Sequence, residues 1–407
     1  MDAFQTRPVK LATNGRRPVI LACLLAILLS SIGLATQIQY AALLVLRCVQ
    51  GFASRGLILI AGASTTDIIT RAERGRYMFY STLGVSLGEA LGPTLGGVLT
   101  QFMGWRSIFW FLTILSGVII LTQLLFLRET CRAVVGDGGL EPQSWNKCAL
   151  QLARPLKHTP DPDTRIKFRR QPGILATLAL LRDRHVAILV LGNATCVGAW
   201  SSIISSLTSL LERNYKLDPL HIGLCYIPFA LGALTTRWTA GTAADRLFRR
   251  YARQIGEEVQ PNRQSPHLLR RISVERARLA LGLPFLYFYS LCIIAYGWSM
   301  SYNVHLAVPL VLLFFFGNAS TGMNNMLIML AVDLNGSRPA STRAAMNFVT
   351  MLTGAGAVAG VMPLTDAIGF GWVGVLMAGL LAIVSLPLWS LYFWGQRWRQ
   401  DQVPELD

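Results

Sequence analysis

An all-α membrane protein is what this sequence predicts, and three observations carry it. Of 407 residues, 53% are hydrophobic and only 14% are charged, with a mean hydropathy of +0.45. A water-soluble chain of this length needs more charged surface than that. Apolar runs of about twenty residues recur along the chain, the length a helix needs to cross a hydrocarbon core. The basic residues avoid these runs and gather in alternate gaps between them.

Ten spans follow in order, near 18–36, 41–62, 77–100, 107–127, 186–211, 221–244, 279–300, 304–330, 344–366 and 372–394. Each is expected to be a helix, because a segment in lipid must satisfy its own backbone polar groups. The first span follows Arg16-Arg17. It is long for the apolar part of a signal peptide and lacks a small-residue cleavage site, which favours a retained span. The second reads "YAALLVLRCVQGFASRGLIL" (40–59). Arg47, Gln50 and Ser54 fall at i, i+3 and i+7 and share one helix face. An intramembrane arginine is a functional hypothesis by default, and snorkelling is weaker still for the more central Arg55.

The third span contains "GVSLGEALGPTLGG" (84–97). A soluble helix loses about 1 kcal/mol per interior glycine relative to alanine. In lipid, small residues four apart let helix backbones approach closely. Gly84, Gly88, Gly92 and Gly96 form such a ridge, which Gly97 widens. Pro93 removes a backbone hydrogen bond and is expected to bend the helix. The ridge is either a static packing face or the face of a moving interface. Glu89 costs a few kcal/mol as a bare carboxylate in lipid, so it must be protonated, paired or turned to water. It is either a partnered structural carboxylate or a proton-coupling or substrate-sensing group.

After the fourth span comes 128–184, a polar, basic, Pro- and Gly-containing segment that divides four spans from six. Its tail, "GILATLALLRDR" (173–184), has the pattern of a short amphipathic helix on the membrane surface. The fifth span carries Asn193. The sixth ends in "GTAADRLFRR" (241–250), where Asp245 lies among Arg246, Arg249 and Arg250 and either pairs with them or anchors the helix end. A second basic segment, 245–278, precedes the seventh span. Asn324 and Asn325 lie in the eighth span and Asn347 in the ninth. Each amide is expected to glue helices or line a cavity.

An even span count puts both termini on one side. The segments on that side hold 31 of the 37 Lys and Arg residues, and the opposite loops hold three: Arg106, Arg213 and Lys216. Arg47, Arg55 and Arg237 are inside spans. Both termini and both long loops are therefore expected to be cytoplasmic. The net charge of +16 then reflects topology, not nucleic-acid binding. Five of the seven cysteines lie in apolar runs, and Cys131 and Cys148 are too isolated to suggest a metal site. No phosphate-cradling loop, metal-ligand spacing or nucleophile triad occurs. No cofactor is expected, and no enzyme.

The motifs resemble those of the major facilitator superfamily, specifically fungal drug:proton antiporters of the quinidine-resistance-like branch. "LLVLRCVQG" (43–51) is similar to the family's fourth-helix motif, whose arginine is implicated in proton transfer; the resemblance gives that role to Arg47. "GEALGPTLGG" (88–97) is similar to the fifth-helix antiporter motif. "DIITRAERGRYM" (67–78) resembles the segment joining those helices, and it assigns Asp67 and Arg74, with Asp245, Arg246 and Arg249, to a cytoplasmic gate. "HIGLCYIPFALG" (221–232) and "MNNMLIMLAVDLNGSRPASTRAAMNFV" (323–349) resemble the second half. The family pattern has twelve spans against the ten read here, and "NGRRPV" (14–19) resembles the tail of the loop after its second helix. The aspartate of that loop motif falls at Ala12. Glu89 and Arg237 also depart from the pattern.

The resemblance implies a major facilitator fold of about ten helices, four plus six. Residues 1–127 would be an incomplete N-terminal transmembrane half, 128–184 a cytoplasmic linker, and 185–407 a complete C-terminal half. It implies a monomeric plasma-membrane protein that exports a small organic molecule, a drug or secondary metabolite, in exchange for protons by alternating access. The substrate would bind between the halves. Uptake of a nutrient or polyamine is an alternative, as is a truncated non-transporting remnant or a misassembled gene model. Two helices fewer than the pattern imply that residues 1–407 do not transport by themselves.

The charge asymmetry makes a direct prediction. Epitope tags at either terminus should be unreachable by antibody in intact cells and reachable after permeabilisation. Surface labelling of both termini would invert the topology.

Overall fold

In a computed structural model, the described residues are 15–68, 74–135, 143, 146–150, 179–243, 246–247, 250, 274–335 and 339–401. They form long helices without a strand. In chain order the helices are α1 (Arg17–Thr36), α2 (Tyr40–Ile68), α3 (Arg74–Met103), α4 (Arg106–Phe126), α5 (Arg184–Tyr215), α6 (Pro219–Gly241), α7 (Val274–Ser301), α8 (Ala307–Leu334), α9 (Pro339–Ile368) and α10 (Phe370–Asp401). Among the described residues, nine of these are long and apolar enough to cross a membrane; α3 is the tenth, 30 residues long.

Local chemistry sets the breaks. Pro18 opens α1, where a missing N–H costs nothing. Asp183 caps α5 by accepting from the His185 N–H at 3.0 Å. Gly369 alone joins α9 to α10 at φ +83, a left-handed conformation that a side chain would strain. The span expected as one helix over 221–244 is interrupted instead. Its first turn ends at Leu224, residues 225–226 form a turn, and helix resumes at Ile227. Pro228 accounts for this, because it has no N–H to offer the Leu224 carbonyl. The same helix widens to a π-turn over Arg237–Gly241. The expected surface helix over 173–184 is a single 3-10 turn, Ala179–Arg182, with 173–178 outside the described residues. Most of the 128–184 and 245–278 segments lies outside them too.

The chain divides into two compact units. The first comprises Met1–Val85 and Leu95–Arg170, and the second comprises Ser86–Thr94 and Gln171–Asp407. In the first, α1 packs against both α2 and α4, with Leu34, Ala35 and Phe109 buried between them. Its N-terminal end is held by Glu129, which follows α4. One Glu129 carboxylate oxygen accepts from the backbone N–H groups of Arg16 at 2.7 Å and Cys131 at 2.9 Å, and the other from that of Arg17 at 3.1 Å. Anionic oxygens suit the unsatisfied N–H groups at a helix start. The Arg17 guanidinium donates in turn to the Lys147 carbonyl at 2.9 Å and the Leu124 carbonyl at 3.2 Å.

In the second unit, α7 packs on α8 and α10, α5 on α9, and α6 on α8. Tyr289, Tyr296 and Phe316 are among its largest fully buried side chains. The α6–α8 crossing is backbone against backbone. A Cβ added at Gly232 would sit 1.9 Å from the Phe314 carbonyl oxygen, and one added at Gly317 would sit 2.3 Å from that of Phe229. This is the small-residue contact by which helices associate in lipid. Gly84, Gly88 and Gly92 differ: a Cβ there meets nothing within 4 Å, and one at Gly96 meets only Ile108 at 3.8 Å.

Gly232→Ala should therefore lower the unfolding temperature in detergent, and the overpacking cost should be at least about 1–3 kcal/mol. Gly92→Ala should leave it unchanged or raise it, since alanine is the better helix former. Equal behaviour of the two variants in a thermal-unfolding assay would reject this account of the crossing.

Candidate functional site

Among the described residues, the polar side chains that the sequence selects inside the spans make contacts in both units. In the first unit a cluster is built on α2. Arg47 Nη1 donates to Gln50 Oε1 at 3.2 Å, and Gln50 Nε2 donates to Ser31 Oγ on α1 at 3.0 Å. The Ser31 hydroxyl donates to the Ile27 carbonyl at 2.7 Å. Gln50 is buried, whereas Arg47 is exposed and places its guanidinium 4.8 Å from the centre of the Phe109 ring on α4. Ser54 turns back on its own helix, donating to the Gln50 carbonyl at 2.8 Å. The helical register thus puts Arg47 and Gln50 in contact one turn apart, and α1 and α4 hold the pair from either side.

In the second unit a contact lies between α5 and α8. The buried Asn193 donates to the Asn324 side-chain carbonyl. Asn325 is exposed, Asn347 is half-buried on α9, and neither has a side-chain hydrogen bond among the described residues. Two further polar groups sit nearby in sequence. Asn318 Nδ2 on α8 donates to the hydroxyls of Thr235 at 3.0 Å and Thr239 at 3.1 Å, across the α6 π-turn. Tyr226 Oη lies 2.9 Å from the Thr208 hydroxyl. At the ends of α7 and α8, Arg278 donates through Nε and Nη2 to Asp333 Oδ2, each at 3.3 Å.

The remaining sequence-selected residues are spread out. Glu89 is exposed on α3, as are Gly84, Gly88 and Gly92; Pro93 and Gly96 are half-buried and Gly97 is buried. Thr94 donates to the Gly223 carbonyl at 3.1 Å. Arg246 is exposed. Asp245 and Arg249 lie outside the described residues, as do the side chains of Asp67 and Arg74. Among the described residues no group of three His, Cys, Asp or Glu side chains is placed to hold a metal ion.

Long apolar helices with a few polar side chains inside them leave the kind of membrane protein open, and the sequence comparisons supply it. Residues 10–360 match the pattern of the Major Facilitator Superfamily. The chain belongs to that superfamily. It is 41% identical to the MFS-type transporter clz19 of Cochliobolus lunatus, over 95% of this chain and 73% of that one. It is 30% identical to citrate exporter 1 of Aspergillus niger, over 97% of this chain and 76% of that one. Among solved structures, a bacterial homologue of the human lysosomal transporter Spinster, inward-facing and unoccupied, has the same fold. It aligns with a TM-score of 0.63 at 13% identity, covering 100% of this chain and 88% of that one.

This facilitator is thus a multi-pass membrane transporter, and its site residues divide by how visible they were. The α2 spacing pointed to Arg47, Gln50 and Ser54, but only the fold supplies Ser31 and Phe109 as neighbours. Asn193 and Asn324, 131 positions apart, meet with no sequence signal for the pairing. Asn318 is not among the residues that sequence spacing selects, although Thr235, Thr236 and Thr239 recur on α6 at helical spacing, a pattern that calls for a polar partner across the crossing.

The amide pair has a measurable worth. Hydrogen bonds between helices in lipid average about 0.6 kcal/mol and reach about 1.7. Asn193→Leu and Asn324→Leu should each destabilise the carrier, and the double variant should recover part of the loss. A double-mutant cycle on thermal unfolding reads the coupling; strict additivity would show that the two side chains do not interact.

Proposed function

We propose that the chain is a proton-coupled exporter of a small organic molecule, a drug or secondary metabolite, at the plasma membrane, with both termini in the cytoplasm. The observation that carries this reading is the Arg47–Gln50–Ser31 chain. It threads a cation and two dipoles through a pair of apolar helices that could pack more cheaply without them. Coupling needs a group in the membrane that responds to charge, and Arg47, held by Gln50 and Phe109 yet exposed, would be one such group and a proton-binding acid another. Glu89 is the intramembrane carboxylate that we assign to that role. The open glycines of α3 would give the helix freedom to move during alternating access, because side chains at Gly84, Gly88 and Gly92 would meet nothing. The asparagines at 193, 324, 325 and 347 would line the substrate path, and Asp67, Arg74, Asp245, Arg246 and Arg249 would close its cytoplasmic end. The likeness to an organic-acid exporter supports the outward direction.

Sealed vesicles test the coupling. An inward-directed proton gradient should accelerate efflux, Arg47→Ala should reduce that acceleration at least tenfold, and Glu89→Gln should shift its pH dependence. Gradient-insensitive efflux would make the protein a facilitator without protons. Proton-driven efflux with the normal pH profile in both variants would remove Arg47 and Glu89 from the coupling.

A further inference from the structure

Tyr296 on α7 is wholly buried, and its hydroxyl has no hydrogen-bond partner among the described residues. A buried hydroxyl left unpaired destabilises the fold around it, so protein interiors pair such groups with protein or with water. Tyr289, two turns earlier on the same helix and equally buried, meets this demand directly. It donates to the Cys196 carbonyl on α5 at 3.1 Å.

Two ties locate what Tyr296 faces. Tyr289 bonds to Cys196, and the Met300 carbonyl accepts from Asn214 Nδ2 at 2.7 Å. Later residues of α7 meet later residues of α5, so the two helices run the same way. Tyr296 lies between these ties, level with the stretch of α5 that carries Ile204 and Thr208. Tyr226, in the turn that interrupts α6, reaches that same stretch. Its Oη donates to the Ile204 carbonyl at 3.1 Å and lies 2.9 Å from Thr208 Oγ1. A phenol has one hydrogen. With that hydrogen committed to Ile204, the Thr208 hydroxyl is the donor in the second contact, and lone pairs on Tyr226 Oη and Thr208 Oγ1 are left to accept. Tyr226, Tyr215 and Cys225 are close enough to Tyr296 to act on it electrostatically. Of these, Tyr215 commits its hydroxyl to the Val304 carbonyl. A donor on α7 thus faces acceptors on α5 and α6 without a direct bond between them. One water closes a gap of that kind, because it accepts and donates at once.

We propose that a buried water molecule is bound between α5, α6 and α7, accepting from Tyr296 Oη and donating to Tyr226 Oη and Thr208 Oγ1. A buried water makes about three hydrogen bonds, and these groups supply three. The bridge would pin the turn at residues 225–226, where α6 is broken, to the middle of its bundle.

X-ray hydroxyl-radical footprinting tests this on the purified full chain in detergent. Radiolysis of a bound water oxidises the side chain against it even where bulk solvent does not reach. Tyr296 should be oxidised at least fivefold faster than Tyr289, read by peptide mass spectrometry. The two are equally buried, but Tyr289 is bonded to a carbonyl. Tyr226→Phe keeps the ring, removes one acceptor and should cut Tyr296 oxidation at least threefold. Tyr296→Phe should lower the unfolding temperature by about 2–4 °C, the loss of one net hydrogen bond. Were the hydroxyl unpaired, the same change would relieve a penalty and raise it. Oxidation of Tyr296 no faster than that of Tyr289, oxidation unaltered in Tyr226→Phe, or an unfolding temperature unchanged or raised in Tyr296→Phe would each overturn the proposal. The comparison of the two tyrosines in the unsubstituted protein decides the matter even if a variant fails to fold.

Discussion

Lipid offers no hydrogen-bond partner, and every feature of this carrier answers to that. Backbone N–H and C=O groups must be paired within each span, so the described residues form helices throughout. Side chains face the same demand. Ser30, Ser31, Ser54, Thr113 and Ser206 all return their hydroxyls to carbonyls three or four residues earlier on their own helices. Amides cannot close on themselves so easily, and they reach across helices: Gln50 to Ser31, Asn193 to Asn324, Asn318 to the α6 threonines. Where such a bond is drawn, two helices are tied. The polar residues of the spans therefore fix the helix pairing as well as any chemistry.

The same demand separates the two kinds of glycine. At Gly232 and Gly317 the missing side chain lets α6 and α8 touch through their backbones, replacing a hydrophobic drive that lipid removes. Along α3 the missing side chains leave room instead. Sequence spacing cannot tell these apart, because a glycine every fourth residue marks a face without saying what stands opposite it.

That distinction describes what could be read in advance. Span number, helical class and the α2 polar face follow from apolar run length and from the 3.6-residue period, both properties of a single segment. The break at Leu224 was also present in the sequence, as Pro228, but hydropathy averaged over the span hides it. The Asn193–Asn324 pair, the Phe109 ring beside Arg47 and the Glu129 cap join positions far apart in the chain, and no local pattern encodes such partners. Glu129 shows this most plainly. In sequence it is one acid in a basic segment after the fourth span. In the fold it is the acceptor for the start of α1.

The Glu129 cap bears on how this protein can be taken apart. The carboxylate and the Lys147 carbonyl both bind the N-terminal end of α1, so Glu129 and Lys147 are structural parts of the first unit, whatever joins the units beyond them. A protease site, a fusion partner or a split point placed directly after α4 would cut the first helix off from its acceptors. Severed halves intended for co-expression should keep the first fragment intact through Cys148, which is wholly buried, and place the cut downstream. The helix boundary at Phe126 is the obvious place to divide the gene, and it is the wrong one.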